Sequence, residues 1–178
     1  MAKSPWFVLA LAVGMGVTGV FAASELPGGA SSLRETYGDW TLNCGVVPAK
    51  DSTPAAVACN LSQEQLDNNK RRIIALGLNP GTDGGAKGNF IMPFGLALDK
   101  GIVLQIDGGQ ATQPNPFRTC LPAGCLVPVT WPDATVKALA GGTTLKVTAT
   151  TDDGQPLALS VSLKGFGAGY ARAVDLEK

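Results

Sequence analysis

Four cysteines, Cys44, Cys59, Cys120 and Cys125, are the residues of this 178-residue chain whose type and spacing point most directly to chemistry. Thiols can bind zinc, cycle between redox states or close structural disulfides. Tetrathiolate zinc sites use pairs separated by two to four residues. Cys120 and Cys125, four residues apart in the intervening sequence, approach that pattern, but fourteen residues separate Cys44 from Cys59. A redox-active pair ordinarily has two intervening residues and a neighbour that stabilises the thiolate. Here Arg118 lies close by, but the spacing is wrong. Two structural disulfides therefore fit best. Four cysteines allow three connectivities, and proximity along the chain favours Cys44–Cys59 and Cys120–Cys125, with Pro122 and Gly124 supplying the turn in the shorter loop.

Other chemistry is poorly served. The chain has no histidine, so it lacks the commonest general base and metal ligand. Asp39, Asp99 and Asp107 could form an acid–base pair only if the fold brought them together. Each lies at an expected turn or strand edge, where aspartate usually caps or solvates. The segment Gly81–Gly88 lacks the Gly-Lys-Ser/Thr ending of a phosphate loop, and Asp152-Asp153-Gly154 lacks the later acidic ligand of a calcium loop. Both read as turns. Fourteen basic residues balance fourteen acidic ones, so there is no basic footprint for nucleic acid. No catalytic, cofactor-binding or metal-binding residue is expected, and the chain does not read as an enzyme. Phe117 and Arg118 are the candidate interface pair, because aromatic and arginine anchors dominate protein interfaces. The simpler reading, with Phe117 in the core and Arg118 on a solvated edge, is favoured over it.

The elements that must position these residues are β-strands. Apolar residues make up 45% of the chain, and 23 glycines with 12 prolines punctuate it into short runs rich in Val, Leu and Thr. Nine strands are expected: Tyr37–Cys44, Val57–Gln65, Arg71–Leu78, Phe90–Leu98, Ile102–Ile106, Phe117–Leu121, Cys125–Thr130, Thr144–Thr150 and Leu157–Leu163. Asp99-Lys100-Gly101 predicts a hairpin joining the fourth and fifth. Pro132–Gly142, with Pro and Asp at its start and paired glycines at its stop, predicts one helix. The tail from Gly165 has no assignment. The fold class is all-β, a compact β-sandwich or barrel-like domain with one short helix and two disulfides.

Lys3 precedes eighteen uncharged residues, Trp6–Ala23, that end in the small residues read by signal peptidase. Residues 1–23 are thus a signal peptide cleaved after Ala22 or Ala23, or an uncleaved anchor long enough to contact or span the inner membrane. Residues 24–35 read as a flexible Gly/Ser-rich linker, and 36–178 as the domain. Either leader places the domain outside, periplasmic or secreted, or held at the inner membrane facing the periplasm.

The ordered motifs Tyr37-Gly38-Asp39-Trp40-Thr41-Leu42-Asn43-Cys44, Cys59-Asn60-Leu61-Ser62-Gln63-Glu64-Gln65, Pro93-Phe94-Gly95-Leu96-Ala97-Leu98, Phe117-Arg118-Thr119-Cys120 with Gly124-Cys125, and Leu159–Phe166 carry a resemblance. From about Tyr37 to Phe166 the chain resembles the invasion-associated locus B family of exported alphaproteobacterial proteins. The resemblance implies a β-rich domain with Cys44, Cys59, Cys120 and Cys125 paired and with Trp40 and Phe94 in the core. It carries no catalytic residues. The implied function is a non-enzymatic binding or accessory protein of the cell envelope that acts through protein–protein contacts. The alternative is a small membrane-anchored accessory subunit of a periplasm-facing respiratory or quinone-linked dehydrogenase complex.

Overall fold

Along a strand, alternate side chains share a face, and in this protein those faces combine into one apolar wall. The computed structural model describes residues 25–178. The expected signal or anchor at 1–23 lies outside the described residues, among which no helix is long and apolar enough to cross a membrane. In chain order the elements are β1 (Ser32–Tyr37), β2 (Trp40–Val47), β3 (Ala56–Leu66), β4 (Arg72–Pro80), β5 (Ala86–Met92), β6 (Val103–Ile106), β7 (Thr119–Leu121), β8 (Gly124–Trp131), α1 (Asp133–Gly141), β9 (Thr144–Thr150), β10 (Pro156–Ser162) and α2 (Phe166–Leu176).

A seven-stranded antiparallel sheet runs in the order β1-β2-β3-β4-β5-β8-β7. In register across it, Leu42 faces Leu61, Leu61 faces Leu78, Leu76 faces Phe90 and Phe90 faces Val127, and all are buried. The opposite face is only half-buried, as expected of an antiparallel sheet with one solvated side. A three-stranded sheet, β10-β9-β6, supplies the second layer with Leu145, Val147, Val161 and Leu104. The two helices complete the cover. On α2, Phe166 packs edge-on against Trp40 with ring centroids 5.1 Å apart and stacks on Tyr170 at 5.8 Å. The Tyr170 hydroxyl donates toward the carbonyls of Gly84 and Gly85, at 3.0 and 2.7 Å, which ties the helix to the β4–β5 turn.

Side chains also join the two sheets. Gln63, only 7% exposed, exchanges two hydrogen bonds with the backbone of Ser162: its Nε2 donates to the carbonyl at 3.0 Å and its Oε1 accepts from the N–H at 3.2 Å. Trp40 Nε1 donates to the same carbonyl at 2.9 Å, and Gln65 Nε2 to Ser160 O at 2.6 Å. The edge of β10 thus gains partners that a neighbouring strand would otherwise provide. Gly165, which leads into α2, has φ +88°, and a Cβ there would lie 2.1 Å from Tyr37 O. Only glycine allows this approach.

The expected all-β class with two disulfides holds, and α1 occupies the expected helix. Ten strands are present among the described residues, and the unassigned tail is α2. Two expectations require correction. The segment 24–35 is not a free linker: Leu26 is 1% exposed in the core and Ser32–Glu35 lie in β1. Leu33 and Glu35 pair with Cys44 and Leu42, and the order comes from that ladder, which the weak local alternation did not signal. Nor do Phe90–Leu98 and Ile102–Ile106 form a hairpin. β5 ends at Met92 because Pro93 cannot donate to a ladder. β6 joins the other sheet, so Asp99-Lys100-Gly101 turns a crossover and not a hairpin.

Candidate interaction groove

The disulfides stitch strands at directly opposed positions. Cys44 and Cys59 face each other across β2 and β3, and Cys120 and Cys125 across β7 and β8. The first lies in the core, with its cysteines 5% and 1% exposed. The second holds the tight turn that bounds a surface groove. Gly124 begins β8 there with φ +132°, and a Cβ would sit 2.6 Å from Met92 O, so the turn packs directly on the end of β5.

The groove, of about 680 Å³, lies where the β3–β4 turn, the end of β5 and the β7–β8 turn meet. Asp67 builds its first wall. One carboxylate oxygen accepts the N–H groups of Asn69 and Arg71 at 2.8 and 2.9 Å, and the other accepts Arg71 Nε at 2.8 Å. The Arg71 N–H, then its guanidinium and the Asn69 N–H, hold this carboxyl below the usual aspartate range. Arg72 pairs with Glu64 on β3 and donates to Ala123 O at 3.1 Å, so it links β4 to the β7–β8 turn across the end of β5. The register shifts between Gln65 and Leu66, which places Arg71, Arg72 and Ile73 together along the rim. A bulge re-aims side chains in this way.

The floor and mouth are apolar. Met92 is buried beneath, while Leu66 and Phe94 at the lining are 50% and 61% exposed, and Leu121 beside the turn is 48% exposed. Phe94 therefore departs from the core position that the family resemblance implies. Pro93 ends the strand before it and Gly95 follows at φ +81°, so the chain turns away and leaves the ring on the surface. Trp40 is fully buried, as expected.

The aromatic-between-turn-residues pattern Pro93-Phe94-Gly95 was the signal in the sequence that could have marked this site. The candidate interface pair lies elsewhere, in the arrangement of the competing core-and-edge reading. Phe117 is half-buried and packs against the core, and Arg118 is exposed beside β7, with its N–H donating to Leu126 O at 2.8 Å. The three aspartates weighed for acid–base work each have separate partners. Asp39 accepts from the Ser162 hydroxyl at 2.6 Å, Asp107 accepts the N–H groups of Thr143 and Thr144, and Asp99 pairs with Lys100 at 3.4 Å. None of the three lines the groove. Among the described residues no cluster of three or more His, Cys, Asp or Glu could hold a metal.

Comparison with known proteins follows the same architecture. The family profile described as Invasion associated locus B (IalB) protein matches residues 40–174. An invasion protein B homolog of Brucella abortus strain 2308 is 46% identical over 161 residues, covering 89% of this chain and 88% of the relative. Invasion protein B of Bartonella bacilliformis is 32% identical over 160 residues, with 88% and 83% covered. The crystal structure of invasion associated protein B from Bartonella henselae superposes with a TM-score of 0.73 at 34% identity, covering 82% of this chain and 97% of that one. The profile and these relatives each span most of the chain, and the chain belongs to the invasion-associated locus B family.

Proposed function

We propose that this protein is a non-enzymatic exported binding protein of the cell envelope, which engages a protein partner through the groove around Phe94. The observation that carries this reading is an exposed aromatic ring beside Leu66, on a groove rimmed by Lys70, Arg71 and Arg72. Exposed apolar side chains grouped together differ from the single ones normal on a surface, and Phe with Arg supplies the anchor types that dominate binding energy. The Asp67 and Glu64 pairs hold the two arginines in place, so less side-chain freedom is lost when a partner docks. Occupation of Asp39, Asp99 and Asp107 by separate structural partners supports the non-enzymatic part of the reading.

Chain direction supports an accessible groove. Ser32, where the chain enters the large sheet, pairs with Gly45 at the β2–β3 end, whereas the groove lies at the β3–β4 end. The chain thus enters the large sheet at the end away from the groove. The two disulfides and the family support the reading of an exported chain.

The test is site-specific photo-crosslinking in exporting cells. A benzoylphenylalanine at Leu66, Phe94 or Leu121 is expected to give one common adduct, absent when the probe stands at Lys50 in the β2–β3 turn. Adducts of equal yield at both ends, or none at the groove, would overturn the assignment. Identification of the adduct by mass spectrometry would separate a free envelope partner from a subunit of a membrane complex.

A further inference from the structure

A second cavity, of about 370 Å³, lies away from the groove, between α1 and the three-stranded sheet. β8 connects the two sites. Gly124 at its start borders the groove and Trp131 at its end lines the cavity, some 23 Å apart at the usual rise per residue. The walls are Leu104 and Ile106 from β6, Leu145 from β9, Leu139 from α1 and Trp131. The polar members are Gln110, Thr112 and Thr135, and no ionisable side chain lines the space.

The wall opposite α1 is held in place by hydrogen bonds. After β6 the chain folds back along that strand, so Thr112 N–H donates to Leu104 O at 2.8 Å and Thr112 Oγ1 accepts Leu104 N–H at 3.1 Å. Gln105 Nε2 donates to Gly109 O at 2.7 Å, and Asp107 accepts the N–H of Thr144 at 2.8 Å. The cavity is therefore formed without a ligand, as most small-molecule sites are.

Trp131 supplies the directional element. Trp40 gives its indole N–H to Ser162 O. The indole N–H of Trp131 has no hydrogen-bond acceptor among the described residues, although the residue is only 8% exposed. No sealed side-chain nitrogen or oxygen among those residues lacks a partner, so this N–H is open to accessible space, and Trp131 itself lines the cavity. A donor of this kind in an otherwise apolar site fixes the orientation of a ligand that carries an acceptor.

We propose that this cavity binds a neutral, mainly apolar small molecule whose carbonyl or ether oxygen accepts the Trp131 N–H. An apolar cavity of about 150 Å³ holds benzene, so the available volume suits a fused bicyclic ring or an acyl group of similar bulk. The lack of charge in the lining selects against anions, whose desolvation nothing there offsets.

Prodan, a neutral naphthalene ketone whose emission shifts to the blue in apolar surroundings, is the probe. It is expected to bind the purified protein one to one, and more tightly than the anionic naphthalene sulfonate ANS. Ala138, exposed on α1 at the cavity edge, allows the site to be filled without touching the core: Ala138→Trp is expected to weaken Prodan binding at least tenfold. Trp131→Phe removes the donor and is expected to weaken it about fivefold, the worth of one neutral hydrogen bond. Phe94→Ser, in the groove, is expected to leave binding unchanged. Absence of binding, tighter binding of ANS, indifference to both cavity variants, or loss on Phe94→Ser would each overturn the assignment. The last outcome would place the probe in the groove.

Discussion

Replacing Cys44 and Cys59 together by alanine opens a covalent loop with a sequence separation of 15 between β2 and β3. Loop-closure entropy assigns a cross-link of that length about 3 kcal/mol at 25 °C. The same relation gives about 2 kcal/mol for Cys120–Cys125, with its separation of 5. Alanine is the informative replacement because both cysteines are buried, and two serine hydroxyls there would each add about 1–3 kcal/mol of desolvation. With the space vacated by the sulfurs, the oxidised variant is expected to be less stable than the wild type by about 3–5 kcal/mol. Urea unfolding followed by tryptophan fluorescence reads this directly, and a slope of about 2 kcal/mol/M turns it into a midpoint shift of about 1.5–2.5 M. Reductant supplies the internal control. It removes both bridges from the wild type, about 5 kcal/mol in sum, but only the short one from the variant, about 2 kcal/mol. A variant as stable as the wild type, or equal losses to reductant in both proteins, would refute the entropic reasoning.

Tyr170→Phe removes the hydroxyl that joins α2 to the carbonyls of Gly84 and Gly85. It is expected to lower stability by about 1–2 kcal/mol, measured by thermal unfolding; an unchanged Tm would mean that apolar packing alone docks the helix. Glu177 accepts the backbone N–H of Cys59, yet its burial raises the carboxyl above its ordinary 4.5. Because the folded value is raised, the stability from this group is present below about pH 4.5 and is lost as pH rises through the folded value. Glu177→Gln keeps an acceptor for Cys59 and carries no charge. Its Tm is expected to exceed the wild type's at pH 8 and to lose that advantage at pH 4; a gap independent of pH would show that ionisation at this site is not coupled to folding.

Much of the domain is determined locally by its residues. The alternation in Trp40–Cys44 and in Thr144–Thr150 sets which side chains face inward, Pro132-Asp133 and Gly141-Gly142 bound α1, and cysteine proximity matches the observed pairing. These features depend on backbone preference and short-range geometry, so they can be read without a partner strand. Other features arise only when distant segments meet. Ser32–Glu35 are ordered by pairing with β2 and not by their own pattern. Ile102–Ile106 leave the neighbouring run for the second sheet because their edge partners are β9 and the segment around Asn115. Phe94 is carried to the surface by the turn at Gly95, although its apolar character alone suits a core. The groove needs three segments spread over sixty positions of sequence, from Glu64 to Gly124, and no local signal encodes that meeting. Composition and periodicity thus determined the β-rich, disulfide-bonded domain, while tertiary packing decided which apolar residues remained exposed.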